Sequence, residues 1–155
     1  RYPQDVAKVK KKTEFKRSLG TDSYQQSIKQ KLYNQRSQFA LIMFTRASCP
    51  YCRVMDQTLK LFNDKHTWEV SHISVENNPM MAERFGVKTV PHTIMIKRNS
   101  DKWMPIAVGI ESLVSVEMNA YRMVRLLNKE ITPEQFYTTE FQDGGFFDPK
   151  AKRGL

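Results

Sequence analysis

Only two cysteines occur among the 155 residues, and they stand together as Ser48-Cys49-Pro50-Tyr51-Cys52, after the apolar run 39–44 and before an amphipathic segment. A strand that ends in Cys-x-x-Cys and turns into a helix sets the first sulfur at the helix N-terminus. There, unpaired backbone N–H groups and the positive end of the dipole favour thiolate, the nucleophile of disulfide exchange. The pattern therefore calls for a reversible dithiol. Cys49 is the attacking sulfur, and Cys52, one turn inside, resolves a mixed disulfide formed at Cys49. Pro50 and Tyr51 form the active-site turn and tune the reduction potential through the helix-end geometry.

With 40% hydrophobic and 26% charged residues, the chain suits one domain with an ordinary core and added segments at its ends. No apolar stretch of roughly 18 residues is present, and Arg1-Tyr2-Pro3-Gln4-Asp5 is not a signal peptide. A chain beginning at Arg1 is expected to be a trimmed piece, so the missing targeting segment says nothing about compartment. The net charge of +9 is concentrated early: residues 1–40 hold ten Lys or Arg against Asp5, Glu14 and Asp22. Centred on Lys10-Lys11-Lys12, this run suits an anionic partner, but it also has the character of a solvated or disordered leader. Nucleic acid is not favoured, because the run lacks interleaved aromatics and a reading motif.

Periodicity divides the chain into a basic leader over 1–21, a domain over 22–130 and a C-terminal extension over 131–155. Tyr24, Ile28, Leu32 and Tyr33 recur at helical spacing from an N-cap at Asp22 or Ser23 to about Ser37. Residues 39–45 are short and apolar, as a buried strand requires. Pro50 suits a first helical turn, and Val54, Met55, Leu59 and Phe62 form an apolar face reaching about Lys65. Residues 68–75 predict a second strand, and Asn77-Asn78-Pro79 starts a short helix that runs through Arg84 and stops at Gly86. Residues 92–97 and 103–109 predict a hairpin. Leu113, Val116, Met118, Ala120, Val124 and Leu127 mark a long last helix. From Thr132 onward, Pro133, Gly144-Gly145 and Pro149 read as loop punctuation, with Phe136, Tyr137, Phe141, Phe146 and Phe147 available as anchors. Early alternation of strand and helix implies parallel strands covered on both faces, and the late hairpin adds an antiparallel edge.

Two further signals have competing readings. Cys49, Cys52, His66 and His72 spell C-x2-C-x13-H-x5-H, near a zinc-finger spacing. A finger, however, needs a hairpin around its cysteines and both histidines on one helix, whereas here a helix follows Cys52 and His72 falls in a strand. No metal is therefore expected. His66 reads as a helix-end surface residue, and His72 as a strand residue partly under the dithiol. Pro91, taken alone, reads as a strand-boundary device.

The stretch from Phe39 to about Leu127 resembles the thioredoxin superfamily. The carriers are Phe44-Thr45-Arg46-Ala47-Ser48-Cys49-Pro50-Tyr51-Cys52, the step Val75-Glu76-Asn77-Asn78-Pro79, the run Phe85-Gly86-Val87-Lys88-Thr89-Val90-Pro91, and Gly109 after the last strand. The resemblance implies an α/β thioredoxin-like fold, a central mixed sheet of about four strands flanked by helices. It also implies a cis bond at Pro91 facing the sulfurs, with Val90 offering backbone groups to an extended substrate peptide. Thioredoxins carry a buried Asp where Met43 stands and a Trp where Ser48 stands. Deprotonation of Cys52 must then be assisted otherwise, through water or Glu76. Pro50-Tyr51 and Thr89-Val90 look like glutaredoxin, but Ile110-Glu111 replaces the glycine that should follow Gly109 for glutathione.

Cys49-Pro50-Tyr51-Cys52, Ile73-Ser74-Val75-Glu76 and the segment 104–112 are similar to the TraF/TrbB group of conjugative type IV secretion systems. That likeness implies a periplasmic thiol:disulfide oxidoreductase acting on cysteine-containing secretion or conjugation proteins and recharged by a redox partner protein. The redox-active Cys49–Cys52 disulfide would be its only redox group, with no other cofactor. The alternative from another class is a non-catalytic module that binds partners through its basic leader and aromatic tail.

Overall fold

The computed structural model describes residues 23–140, so the leader over 1–21 and the anchors Phe141, Phe146 and Phe147 lie outside the described residues. Helix α1 covers 23–34, shorter than its spacing predicts. Residues 35–38 instead form a turn, in which the Gln38 N–H bonds to the Gln35 carbonyl at 2.9 Å. There follow β1 (Phe39–Thr45), α2 (Pro50–His66), β2 (Glu69–Ser74), α3 (Pro79–Arg84), β3 (His92–Lys97), β4 (Trp103–Val108), α4 (Leu113–Leu127) and α5 (Pro133–Glu140).

The four strands form one mixed sheet in the order β2-β1-β3-β4. β1 runs parallel to β2 and antiparallel to β3, and β3 pairs antiparallel with β4. This is the thioredoxin-like arrangement. Central β1 is buried along most of its length because both of its faces are covered. Phe39, Leu41 and Met43 join a core with Met55, Leu59 and Phe62 of α2 and Val116, Ala120 and Val124 of α4. Phe44, on the opposite face, packs its ring against Phe85 and His92, and Phe85 meets Trp103. Pro105 sits in edge strand β4, where a missing N–H breaks no ladder.

Several expectations need correction. Val54 is 47% exposed; the buried stripe of α2 is Cys52, Met55, Leu59, Phe62 and His66, spaced three and four apart. Trp68 precedes β2 rather than starting it, and its side chain is fully buried. Its indole N–H donates to the Leu32 carbonyl at 2.7 Å while the ring stacks on Phe39 and meets Phe62 edge-on. A single indole thus joins α1, β1 and α2. The loop reading from Thr132 fails over 133–140, which is helix α5; Pro133 opens that helix instead of breaking one.

Candidate active site at the start of helix α2

Strand β1 ends at Thr45, and the chain turns through Ser48, whose φ of 57° lies in the left-handed region, to reach Cys49. Cys49 is the N-cap of α2: its backbone is extended, and its Sγ accepts the Cys52 backbone N–H at 3.1 Å. Pro50 occupies the first turn, where its missing N–H costs no helical bond. Cys49 and Cys52 are joined as a disulfide with Cα atoms 5.2 Å apart. Cys52 is only 3% exposed, Cys49 is half-buried, and Tyr51 projects outward at 62% exposure. One sulfur is therefore open to approach, and the other stands behind it.

The antiparallel register pairs Phe44 with His92, so the start of β3 lies beside the end of β1. The Val90–Pro91 peptide bond is cis and occupies that corner. Pro91 is buried and its carbonyl accepts the Gly109 N–H at 2.8 Å; Val90 is half-buried against the core cluster that also receives Cys49. The dithiol and the Val90-Pro91 step thus share one end of the sheet.

Glu76 lies elsewhere. Its Oε1 accepts the Ala47 N–H at 2.9 Å, a brace for the loop leading to Cys49, and it does not line the cleft under the sulfurs. That cleft, of about 150 Å³, is bounded by Met43, Cys49, Cys52, Asp56 and His72, with Arg46 and Arg53 at its sides. His72 Nε2 and Asp56 Oδ1 are hydrogen-bonded at 2.6 Å, and Lys60 Nζ lies 3.8 Å from the other Asp56 oxygen. Asp56 was missed from the sequence, although its place four residues after Cys52 puts both on one helical face.

His66 does not converge with the cysteines. It is fully buried against Glu117 of α4 at 2.6 Å, not at the surface as its helix-end position suggested. Among the described residues, no group of three or more His, Cys, Asp or Glu side chains is placed to hold a metal ion.

The family described as TraF, F plasmid transfer operon protein, matches residues 4–121. No curated protein sequence matches the chain. Among solved structures, a fragment of ERdj5 is similar at 17% identity and a TM-score of 0.47, over 57% of this chain and 42% of that one. This chain thus spans less than half of that fragment. Thioredoxin NaTrxh from Nicotiana alata is similar at 20% identity and a TM-score of 0.46, over 61% of this chain and 82% of its own. Thioredoxin 1 from Thermosipho africanus gives 20% identity and a TM-score of 0.46, over 57% and 98% respectively. These likenesses are partial; strand order and register define the thioredoxin-like fold of this chain.

Proposed function

Because this chain belongs to the TraF family of F plasmid transfer operon proteins, we propose that it is a thiol:disulfide oxidoreductase serving cysteine-bearing proteins of a conjugation or secretion apparatus. The observation that carries the reading is the Cys49–Cys52 disulfide at the N-terminus of α2, with one sulfur accessible and the other buried behind it. In the reducing direction, the Cys49 thiolate, favoured by the helix end, attacks a substrate disulfide and releases one substrate thiolate. The Cys52 thiolate then attacks Cys49 Sγ, the Cys49–substrate bond breaks, and the electron pair leaves with the second substrate sulfur. In the oxidising direction the same bonds exchange in reverse. Val90 and Pro91, at the same end of the sheet, hold the substrate backbone in extended form.

The working compartment in this proposal is the periplasm, where a dithiol of this kind has substrates to oxidise or repair. No helix among the described residues is long and apolar enough to cross a membrane. A redox partner protein restores the dithiol, and the leader's positive charge recruits an anionic partner.

Replacing Cys49 by Ser abolishes insulin reduction and dithiol oxidation in this reading; full turnover by that variant would overturn it. The reduction potential separates exchange from a merely structural bridge. A value between about −270 and −120 mV supports exchange, and one below about −300 mV marks an inert crosslink. Covalent capture by a Cys52→Ala variant then identifies the substrates.

A further inference from the structure

A thiol that resolves a mixed disulfide must first lose its proton, and apolar surroundings make that harder. Cys52 is 3% exposed, and Met43, which lines the cleft beside it, has no titratable atom. The same cleft holds a base. Asp56 lies one helical turn beyond Cys52 on α2, and His72 is the register partner of Met43 across β1 and β2. The two meet at 2.6 Å through His72 Nε2 and Asp56 Oδ1.

We propose that His72 accepts the Cys52 proton during resolution, with Asp56 as the residue that positions it. This rests on the oxidoreductase reading above. A carboxylate on Nε2 keeps the neutral ring's proton on that nitrogen and leaves the Nδ1 lone pair as the base. In the step, Cys52 Sγ gives its proton to Nδ1, directly or through a water in the cleft. The resulting thiolate attacks Cys49 Sγ, forming the Cys49–Cys52 bond as the Cys49–substrate bond breaks. The substrate sulfur departs with the electron pair and takes a proton from His72 or from solvent. The substrate is reduced by the two electrons that the dithiol loses. The imidazolium formed on the way is held by Asp56, while Arg46 and Arg53 at the cleft, and Lys60 beyond Asp56, favour the thiolate.

Ellman's reagent separates the two chemical steps in stopped flow. Reduced protein releases a first chromophore as Cys49 attacks, in a bimolecular phase, and a second as Cys52 closes the disulfide, in a unimolecular phase. His72→Gln should slow the second phase roughly 100-fold at neutral pH, the low end for a positioned acid–base group. Asp56→Asn should slow it less, and both variants should leave the first phase within about twofold. The gap between His72→Gln and the wild type should close as pH rises, because solvent hydroxide then takes the Cys52 proton in both proteins. His72 is 43% exposed, so its replacement leaves the core intact. An unchanged second phase in His72→Gln overturns the proposal and leaves the oxidoreductase reading standing. Equal slowing of both phases also overturns it, because the loss then lies in Cys49 or the fold. A wild-type protein showing neither phase removes both readings.

Discussion

At the C-terminal end of α2, His66 donates its Nε2 proton to Glu117 Oε2 of α4 at 2.6 Å, and Lys65 Nζ reaches the same oxygen at 2.8 Å. Burial is the largest influence on His66 and lowers its pKa below the ordinary 6.5, against the opposing pull of Glu117; burial alone lowers His92. Both histidines thus resist protonation when folded but accept a proton near pH 6.5 when unfolded. Stability is complete above that value, falls as pH drops through it towards the lower folded values, and levels off below them. Urea midpoints should be lower at pH 5.5 than at pH 7.5, and the gap should shrink in a His66→Gln/His92→Gln variant. A gap unchanged in that variant would assign the acid sensitivity to other groups. At neutral pH, Glu117→Ala should cost about 3 kcal/mol, because it strips a buried histidine of its acceptor. The position of His66 was legible in principle: the spacing 52, 55, 59, 62 continues to 66. A polar side chain at a helix end is ordinarily solvated, and only the tertiary approach of α4 buries this one.

Elements were read more easily than the residues that tie them together. Strand β1, the helix after Pro50, the short helix at Pro79 and the late hairpin all follow from period and punctuation, because local sterics and burial agree there. The faces of the helices were harder. In α4 the buried set includes the polar Glu117 and Asn119, while Met118 is only partly buried. Asn119 Nδ2 donates to the Ile106 carbonyl at 2.9 Å, satisfying a buried amide that a hydropathy pattern counts as solvent-facing. The N-terminus of this helix is set by Ser112, whose Oγ accepts the Ser115 N–H at 3.1 Å. Ser112→Ala should therefore lower unfolding free energy by about 1 kcal/mol. A threonine at the same place should keep most of that stability in the same denaturation experiment, and equal losses for both would remove the cap as the cause. At the candidate site, the dithiol is legible because cysteine spacing is local. The Asp56–His72 pair is not, because it joins a helix to a strand 16 residues away.

Across the whole molecule, the two ends of the described chain are fastened to the same body. Lys31 of α1 pairs with Glu130, just after α4, at 2.8 Å, and the Trp68 indole holds α1 through the Leu32 carbonyl. Beyond Glu130, Ile131 packs against the core and Phe136 of α5 enters it at 1% exposure, while the adjacent Tyr137 remains 49% exposed. The sequence offered both rings as anchors without ranking them, since proline and glycine in the surrounding segment spoke for loops. What separates them is helical phase: consecutive residues point about 100° apart, so only one can face the core. Phe136→Ala should cost about 3–5 kcal/mol, the loss of a buried ring plus the cavity left behind. Against a total stability of roughly 5–15 kcal/mol, that is a large fraction. Tyr137→Ala, which removes a half-exposed ring touching Phe136 edge-on at 5.4 Å, should cost under about 1 kcal/mol. Urea unfolding followed by Trp fluorescence compares the two directly, because Trp68 lies in the same cluster as Phe136. A single transition shifted strongly by Phe136→Ala and little by Tyr137→Ala makes α5 part of one cooperative unit; equal small shifts would make it an appendage that the core does not need.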